Sequence, residues 1–312
     1  MVLLKPVRLR DFVRDVNGWY YAVAAYDNFS TIGSVLRYIP DPSGDRIDDS
    51  KTRYRKVEFE EAYHLISKHH PEWSGLVHRI PLNQVKKVLK PDEEIERIKT
   101  HHTKVAKLVK ALHLPPCSFG VTGSLLCGLE GKNSDIDGVV YGSAFGYAQK
   151  QLARSIKNGT IKDLSESLWK TVYKKRNPYT SYEEFILHEK RKQNRGQVDG
   201  TYFDLLYTRS YSDLPGFSMH KGVVLGKNRI EATVTADQFA FDSPAVYEID
   251  HPEISRVLSF THTYTGQAFT GERLEAQGIV EQHGKEKWLV VGTTREAKGE
   301  FIRSLSLLEK EG

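Results

Sequence analysis

A glycine–serine pair, Gly123-Ser124, a ten-residue spacer from Leu125 to Ser134, and the triplet Asp135-Ile136-Asp137 stand in that order in a chain of 312 residues. Each of these residue types has a use in chemistry on phosphates. Glycine tolerates close backbone approach to an anion, and a serine hydroxyl adds a donor. Hard divalent cations that bridge phosphates want carboxylate oxygens. On a strand, Asp135 and Asp137 at spacing i, i+2 point the same way, while Ile136 faces the core. Taken singly, a Gly-Ser is a common turn and an Asp-x-Asp a common cap or loop. The case strengthens with a third acid, Asp204, inside the apolar and aromatic run Tyr202-Phe203-Asp204-Leu205-Leu206-Tyr207. An unpaired charge there would cost several kcal/mol, so a metal or a proton-transfer role explains it better than a surface position. Asp199 is the competitor, but Gly200 beside it marks a turn. Arg195, just before that strand, is placed to put a guanidinium on a phosphate.

The elements that must position these residues follow from periodicity. From Val7 to Pro91, strand-like runs at Trp19–Ala24 and Ser34–Ile39 precede a helix over Glu58–Lys68, where Phe59, Ala62, Tyr63 and Ile66 recur at helical spacing. A long amphipathic helix is expected over Asp92–Leu112, stopped by Pro115-Pro116. A strand at Ser118–Val121 enters the Gly-Ser turn, a second at Ile136–Tyr141 carries the acid pair, and a third at Thr201–Thr208 carries Asp204. Helices fill the interval to Arg191. Beyond Tyr211, Ile230–Val234, Glu275–Glu281 and Lys287–Val291 read as short strands of a small barrel or sandwich.

These residues resemble the DNA polymerase β nucleotidyltransferase superfamily, whose pattern is a Gly-Ser turn, about ten residues, an Asp-x-Asp pair and a later strand Asp. Gly123, Ser124, Asp135, Asp137 and Asp204 fall on it. The wider stretches Leu36-Arg37-Tyr38-Ile39-Pro40 and Phe203-Asp204-Leu205-Leu206-Tyr207 are similar to a group of archaeal predicted nucleotidyltransferases. The resemblance covers Ser118 to Tyr207 and implies a mixed sheet backed by helices. It implies an NTP substrate, Mg²⁺ (or Mn²⁺) held by Asp135, Asp137 and Asp204, and catalysis by the same acids. Gly123, Ser124 and Arg195 would bind the nucleotide. Leu125-Leu126-Cys127 after the turn is more apolar than in some family members, where a second glycine or an arginine follows; Gly128 could serve here.

The expected fold class is therefore α+β. A polymerase-β-like core over 92–210 is flanked by an N-terminal α/β module over 1–91 and a β-rich domain over 211–312, for which an OB-like barrel is one form. The acceptor hydroxyl is left open: an RNA 3′ end leads, a protein side chain or small molecule is the alternative, and a non-catalytic nucleic-acid-binding protein is the rival class.

Composition sets the outer bounds. A hydrophobic fraction of 39% and a charged fraction of 27% belong to a globular protein. No apolar run approaches the roughly 20 residues that span a bilayer, so no membrane partner is expected. Met1–Arg10 lacks the apolar core of a signal peptide. Cys117 and Cys127 form no metal or disulfide pattern, which fits a reducing cytoplasm. Net charge is +5, and Lys170–Lys192 concentrates cations that suit either a solvated face or a phosphate-contacting surface. Within that stretch Lys190, Arg191 and Lys192 read as solvated, while Tyr173, Tyr179 and Tyr182 either stack bases or pack a helix. His101 and His102 face different directions on a helix, so a shared ion is not expected, and His262 reads as a polar strand residue. Oligomeric state is not legible.

Overall fold

The computed structural model describes residues 5–214, 221–292 and 299–311, so the first four residues of the Met1–Arg10 segment lie outside the description. It is an α+β protein whose chain divides into two compact units. One comprises Met1–Asp163 with Asn194–Met219, the other Leu164–Gln193 with His220–Gly312.

The first unit opens with strands β1 (Phe12–Asp15), β2 (Tyr20–Val23), β3 (Thr31–Pro40), β4 (Arg46–Ile47) and β5 (Arg53–Lys56), then helix α1 (Phe59–His69), β6 (His78–Pro81) and β7 (Val85–Leu89). The strands pair antiparallel in the order β4-β5-β3-β2-β1-β7, with β6 on β3. Helix α1 turns Ala62 and Ile66 inward, and they join Tyr21, Ile32, Leu36 and Trp73 in one core. This is the 3.6-residue period of its sequence meeting the alternation of the strands.

The same unit continues with α2 (Pro91–His101), α3 (Thr103–Leu112), β8 (Phe119–Val121), α4 (Gly123–Cys127), β9 (Ile136–Tyr141), α5 (Ala144–Lys157), β10 (Arg195–Val198) and β11 (Thr201–Thr208). The single long helix expected over Asp92–Leu112 is two helices. His102, at φ −123° and ψ 93°, is in extended conformation between them. Hydrophobic spacing runs on across the break, which is why periodicity alone does not reveal it. Strands β8 to β11 form a four-stranded sheet in the order β10-β11-β9-β8, with β9 and β11 parallel and the outer pairings antiparallel. Gly120 on β8 lets α2 approach closely: a Cβ there would lie 2.3 Å from the Pro91 carbonyl carbon. Asp199 (φ 46°) and Gly200 (φ 73°) make the tight β10–β11 turn. Two positive φ angles in succession are the requirement of a type I′ hairpin turn.

The second unit holds α6 (Glu166–Arg176), α7 (Tyr182–Lys192), β12 (Val223–Phe239), β13 (Ala245–Asp250), β14 (Arg256–Ser259), β15 (Arg273–His283), β16 (Glu286–Val291), β17 (Phe301–Ser304) and α8 (Leu305–Glu311). Strands β12-β13-β14-β16-β15 close into a ring, because β12 pairs with both β13 and β15. The β14–β16 contact is parallel and the others antiparallel. Between the barrel and sandwich left open by the sequence, the structure is a barrel. Ile230, Val234, Tyr247, Val257, Leu274 and Leu289 fill it, which is the inward half of each alternating strand. His262 begins a 3-10 turn rather than lying in a strand. Helix α7 turns His188, Glu189 and Lys192 inward.

Candidate active site

Strand β11 is buried on the side of Phe203 and Leu205 (both 0% exposed), and Asp204 faces the other way. In the β9–β11 ladder Asp204 is the direct partner of Asp137, and in the β10–β11 ladder Arg195 is the direct partner of Asp204. Directly paired residues share a face, so Arg195, Asp204 and Asp137 form one row across three strands. Next in the row comes the turn after β8, where the Thr122 amide donates to the Asp137 carbonyl at 2.9 Å.

Gly123 has φ +72°, a conformation few side chains adopt. A Cβ at this position would lie 2.6 Å from Asp137 Oδ2. The Asp137 carboxylate therefore borders the space above the glycine, and a side chain at 123 would collide with it. Ser124 is the second residue of the five-residue helix α4 and donates its hydroxyl to Ser134 Oγ at 3.2 Å. Gly128 closes α4 in the left-handed conformation, and a Cβ there would meet nothing within 4 Å.

Asp135 is exposed and stands one residue before β9 begins, whereas the sequence places it on the strand with Asp137. Asp137 is half-buried and Ile136 is buried, so the expected alternation holds only for the two residues of the triplet that lie on β9. Asp204 receives a hydrogen bond from Arg195 Nε at 2.5 Å, and both side chains are almost wholly buried. The burial cost that seemed to demand a metal at Asp204 is thus offset by a guanidinium. Burial works against the charge on Arg195, but the Asp204 charge and hydrogen bond, with Tyr202 alongside, outweigh it and hold its pKa above the ordinary value. The structure places the Arg195 guanidinium on Asp204, at the end of the row away from Asp137. Among the described residues no group of three His, Cys, Asp or Glu side chains lies close enough together to hold a metal ion. Asp137 and Asp204 are brought side by side, and Asp135 stands two residues upstream at the mouth of the strand.

Residues outside the motif complete the frame. Thr122 Oγ1 donates to the Arg10 carbonyl at 2.6 Å, and Arg10 Nε donates to the Tyr207 carbonyl at 3.2 Å. Arg46 Nη1 donates to the Leu129 carbonyl at 3.0 Å and to Ser134 Oγ at 3.3 Å. These partners are separated by 83 to 197 residues, so no local pattern could have announced them. Arg8 lies between the rings of Tyr141 and Tyr211, 3.7 and 3.9 Å from their centroids, and pairs with Asp92 at 3.0 Å.

The basic stretch of the second unit is less available than its sequence suggests. Lys192 is fully buried and ion-paired with Glu189, one turn earlier on α7. Arg191 forms a two-pronged contact with Glu272 at 2.7 and 2.9 Å. Both depart from the solvated face expected, because α7 packs its last turn inward. Lys190 is exposed as expected. Tyr173 meets Tyr182 and Phe185 edge-on at 5.3 and 5.2 Å, which makes it a packing residue, whereas Tyr179 is 62% exposed. Further along the chain His101 is exposed, and His102 lies 3.3 Å from Glu130, so the two do not share a site. Cys117 and Cys127 are both free thiols. Among the described residues no helix is long and apolar enough to cross a membrane.

Fold and site together define an α+β protein with a short mixed sheet carrying an Arg–Asp–Asp row beside a Gly-Ser turn. Over 337 aligned residues the chain is 37% identical to the uncharacterized protein MJ1086 of Methanocaldococcus jannaschii, a match covering 95% of this chain and 98% of that protein. The chain belongs to the family of that protein. No family model matches the chain, and no solved structure matches it.

Proposed function

We propose that the chain is a metal-dependent nucleotidyltransferase that moves an NMP from an NTP to an acceptor hydroxyl. The observation that carries this reading is the juxtaposition of the Asp137 carboxylate with the left-handed Gly123, with Asp204 in direct register on the neighbouring strand. A turn that excludes a side chain next to a carboxylate pair suits a triphosphate that must approach backbone and acid together. In the reaction an acceptor oxygen attacks the α-phosphorus, the bond to the β-phosphate oxygen breaks, and pyrophosphate leaves with that electron pair. The hydroxyl proton passes to a carboxylate, for which Asp204 is the candidate.

The donor set suits Mg²⁺ or Mn²⁺, since hard cations prefer carboxylate oxygens. Among the described residues no three acids converge, so Asp135 and Asp137 would hold it as a pair, with Asp204 on the next strand. A pair is the arrangement usual where substrate phosphates are also present; when bound, the ion neutralises phosphate charge. The protein's own part is positional. Gly123 keeps the approach clear, Ser124 offers a hydroxyl, and Arg195 fixes the Asp204 carboxylate instead of contacting a phosphate. Such positioning accounts for most of the catalysis in nucleotidyl and phosphoryl transfer.

For the acceptor, an RNA 3′ end remains the leading reading, and charge distribution says where its backbone would be met. The first unit carries 27 Lys and Arg against 22 Asp and Glu, the whole net +5 of the chain. From 220 to 312 there are 11 Lys and Arg against 14 Asp and Glu, a net −3. A closed five-stranded barrel is an architecture shared with oligonucleotide-binding folds, but phosphate binding needs cations. The acceptor's phosphates are therefore assigned to the first unit. Incubation with labelled NTPs and Mg²⁺, in the presence of total RNA, protein or neither, tests the proposal. Label in RNA, lost in Asp137→Ala, supports it. Label in protein shifts the acceptor, and no label with salt-sensitive RNA binding favours a non-catalytic RNA-binding protein.

A further inference from the structure

We infer that the N-terminal sheet is a positioning part of this site and that Arg46 is the residue through which it acts. What is positioned rests on the nucleotidyl-transfer reading; the clamp itself rests on geometry. Between α4 and β9, residues 128–135 have no regular secondary structure. This loop connects the Ser124 hydroxyl to the Asp135/Asp137 pair. An irregular segment loses backbone entropy when it holds one shape, so something must hold it.

Ser134 Oγ is the knot of the loop. It accepts from the Gly131 amide at 2.9 Å, from Ser124 Oγ at 3.2 Å and from Arg46 Nη1 at 3.3 Å. The same Arg46 nitrogen also donates to the Leu129 carbonyl at 3.0 Å. One guanidinium from β4 thereby ties both ends of the loop and, through Ser134, the hydroxyl assigned to the triphosphate. Gly131 is what admits it, because a Cβ there would stand 2.7 Å from Arg46 Nη1. Arg46 is itself held, with Nε 3.2 Å from the Asp45 carboxylate and its side chain 19% exposed. Arg10 anchors the same frame from the residue before Gly123 and from the end of β11. Arg46 is a positioning residue: it contacts the loop, and the loop carries Asp135 and, through Ser134, holds the Ser124 hydroxyl. Displacement of such groups by about 1 Å can cost on the order of 10²-fold in rate.

The test compares the full-length wild type with Arg46→Ala, Arg46→Lys and Gly131→Ala. Hydrogen–deuterium exchange reads residues 128–135, and labelled-NTP transfer with Mg²⁺ reads kcat and KM. Arg46→Ala is expected to speed exchange across the loop by roughly 10-fold or more and to lower kcat by roughly 10- to 100-fold. Gly131→Ala, which displaces the guanidinium without removing it, should do the same, and Arg46→Lys should recover part of both. Unchanged loop exchange in Arg46→Ala overturns the clamp. Faster exchange with wild-type kcat overturns its positioning role. If the wild type transfers no nucleotide while the loop still responds to Arg46→Ala, the clamp stands and the transfer reading falls.

Discussion

Two buried ion pairs only a few residues apart in sequence have opposite characters. On α7, Glu189 and Lys192 are both fully buried, and Lys192 also donates to the Thr263 carbonyl at 3.2 Å. Nearby, His188 donates Nδ1–H to the Glu184 carbonyl at 2.7 Å and accepts the Ser304 amide on Nε2 at 2.9 Å. That tautomer follows from the two partners, since an amide can only donate. Every one of these contacts closes on the protein itself. On the β10–β11–β9 sheet, Arg195 and Asp204 are buried almost as deeply, yet their row continues to Asp137 and ends at a glycine turn with no side chain. A buried charge pair is therefore no marker of a site. What distinguishes the second pair is a further carboxylate in register and a neighbouring position where a Cβ cannot fit.

The largest effect that could break this contrast is on activity. Asp137→Asn should lower nucleotidyl transfer by roughly 10²- to 10³-fold, the scale seen when a main electrostatic group of an active site is lost. The thermal midpoint should stay near wild type. Wild-type transfer rates in that variant would return the sheet row to a purely structural role.

Next comes Lys192→Ala, which strands Glu189 in the second unit's core. Breaking a buried pair costs about 3–5 kcal/mol, to be read by urea or thermal unfolding. Replacing both partners with apolar residues should recover most of the loss. A single substitution that leaves the midpoint unmoved would mean that the pair is not buried in solution.

The third expectation concerns pH. Burial pushes the His188 pKa down from 6.5 to about 4. The unfolded chain then takes up a proton below pH 6.5 that the folded chain refuses until about pH 4. Stability is present above pH 6.5 and lost as pH falls through that window, by about 3 kcal/mol in total. The difference between wild-type and His188→Gln unfolding curves from pH 7.5 to 4 isolates this residue from other titrations. A difference that does not change across that range refutes the assignment.

The smallest effect gives the sharpest comparison. Gly123 opens α4 and Gly128 caps it, both at positive φ, and alanine at either should cost about 1–2 kcal/mol of backbone strain. Only Gly123→Ala also meets a carboxylate. Its transfer rate should fall well below that of Gly128→Ala at equal stability. Equal rates would remove Gly123 from the site.

Much of the site's skeleton was legible in the sequence. Strands at Ile136–Tyr141 and Thr201–Thr208 run where alternation and apolar content place them, because those signals are local and strong. The break at His102 was not legible, since apolar spacing continues through it. Nor was the burial of Lys192, because a lysine at the end of a cation-rich helix looks solvated until the surface it packs on is known. The same holds for Arg195: sequence shows a cation before a strand, and only the antiparallel ladder shows that it faces Asp204.

Residue type and spacing by themselves determined the chemical vocabulary: a flexible glycine, a hydroxyl, carboxylates at alternating positions, and an α+β order of elements. Those follow from side-chain chemistry and from periods of 2 and 3.6 residues, which are properties of the chain alone. The tertiary structure decided register and partnership. It set Asp204 beside Asp137, gave Asp204 an arginine, brought Arg46 from the N-terminal sheet to the loop before Asp135, and joined Arg10 to Thr122 and Tyr207. Contacts between groups more than 80 residues apart depend on strand pairing and packing across the whole unit, and no local pattern encodes them.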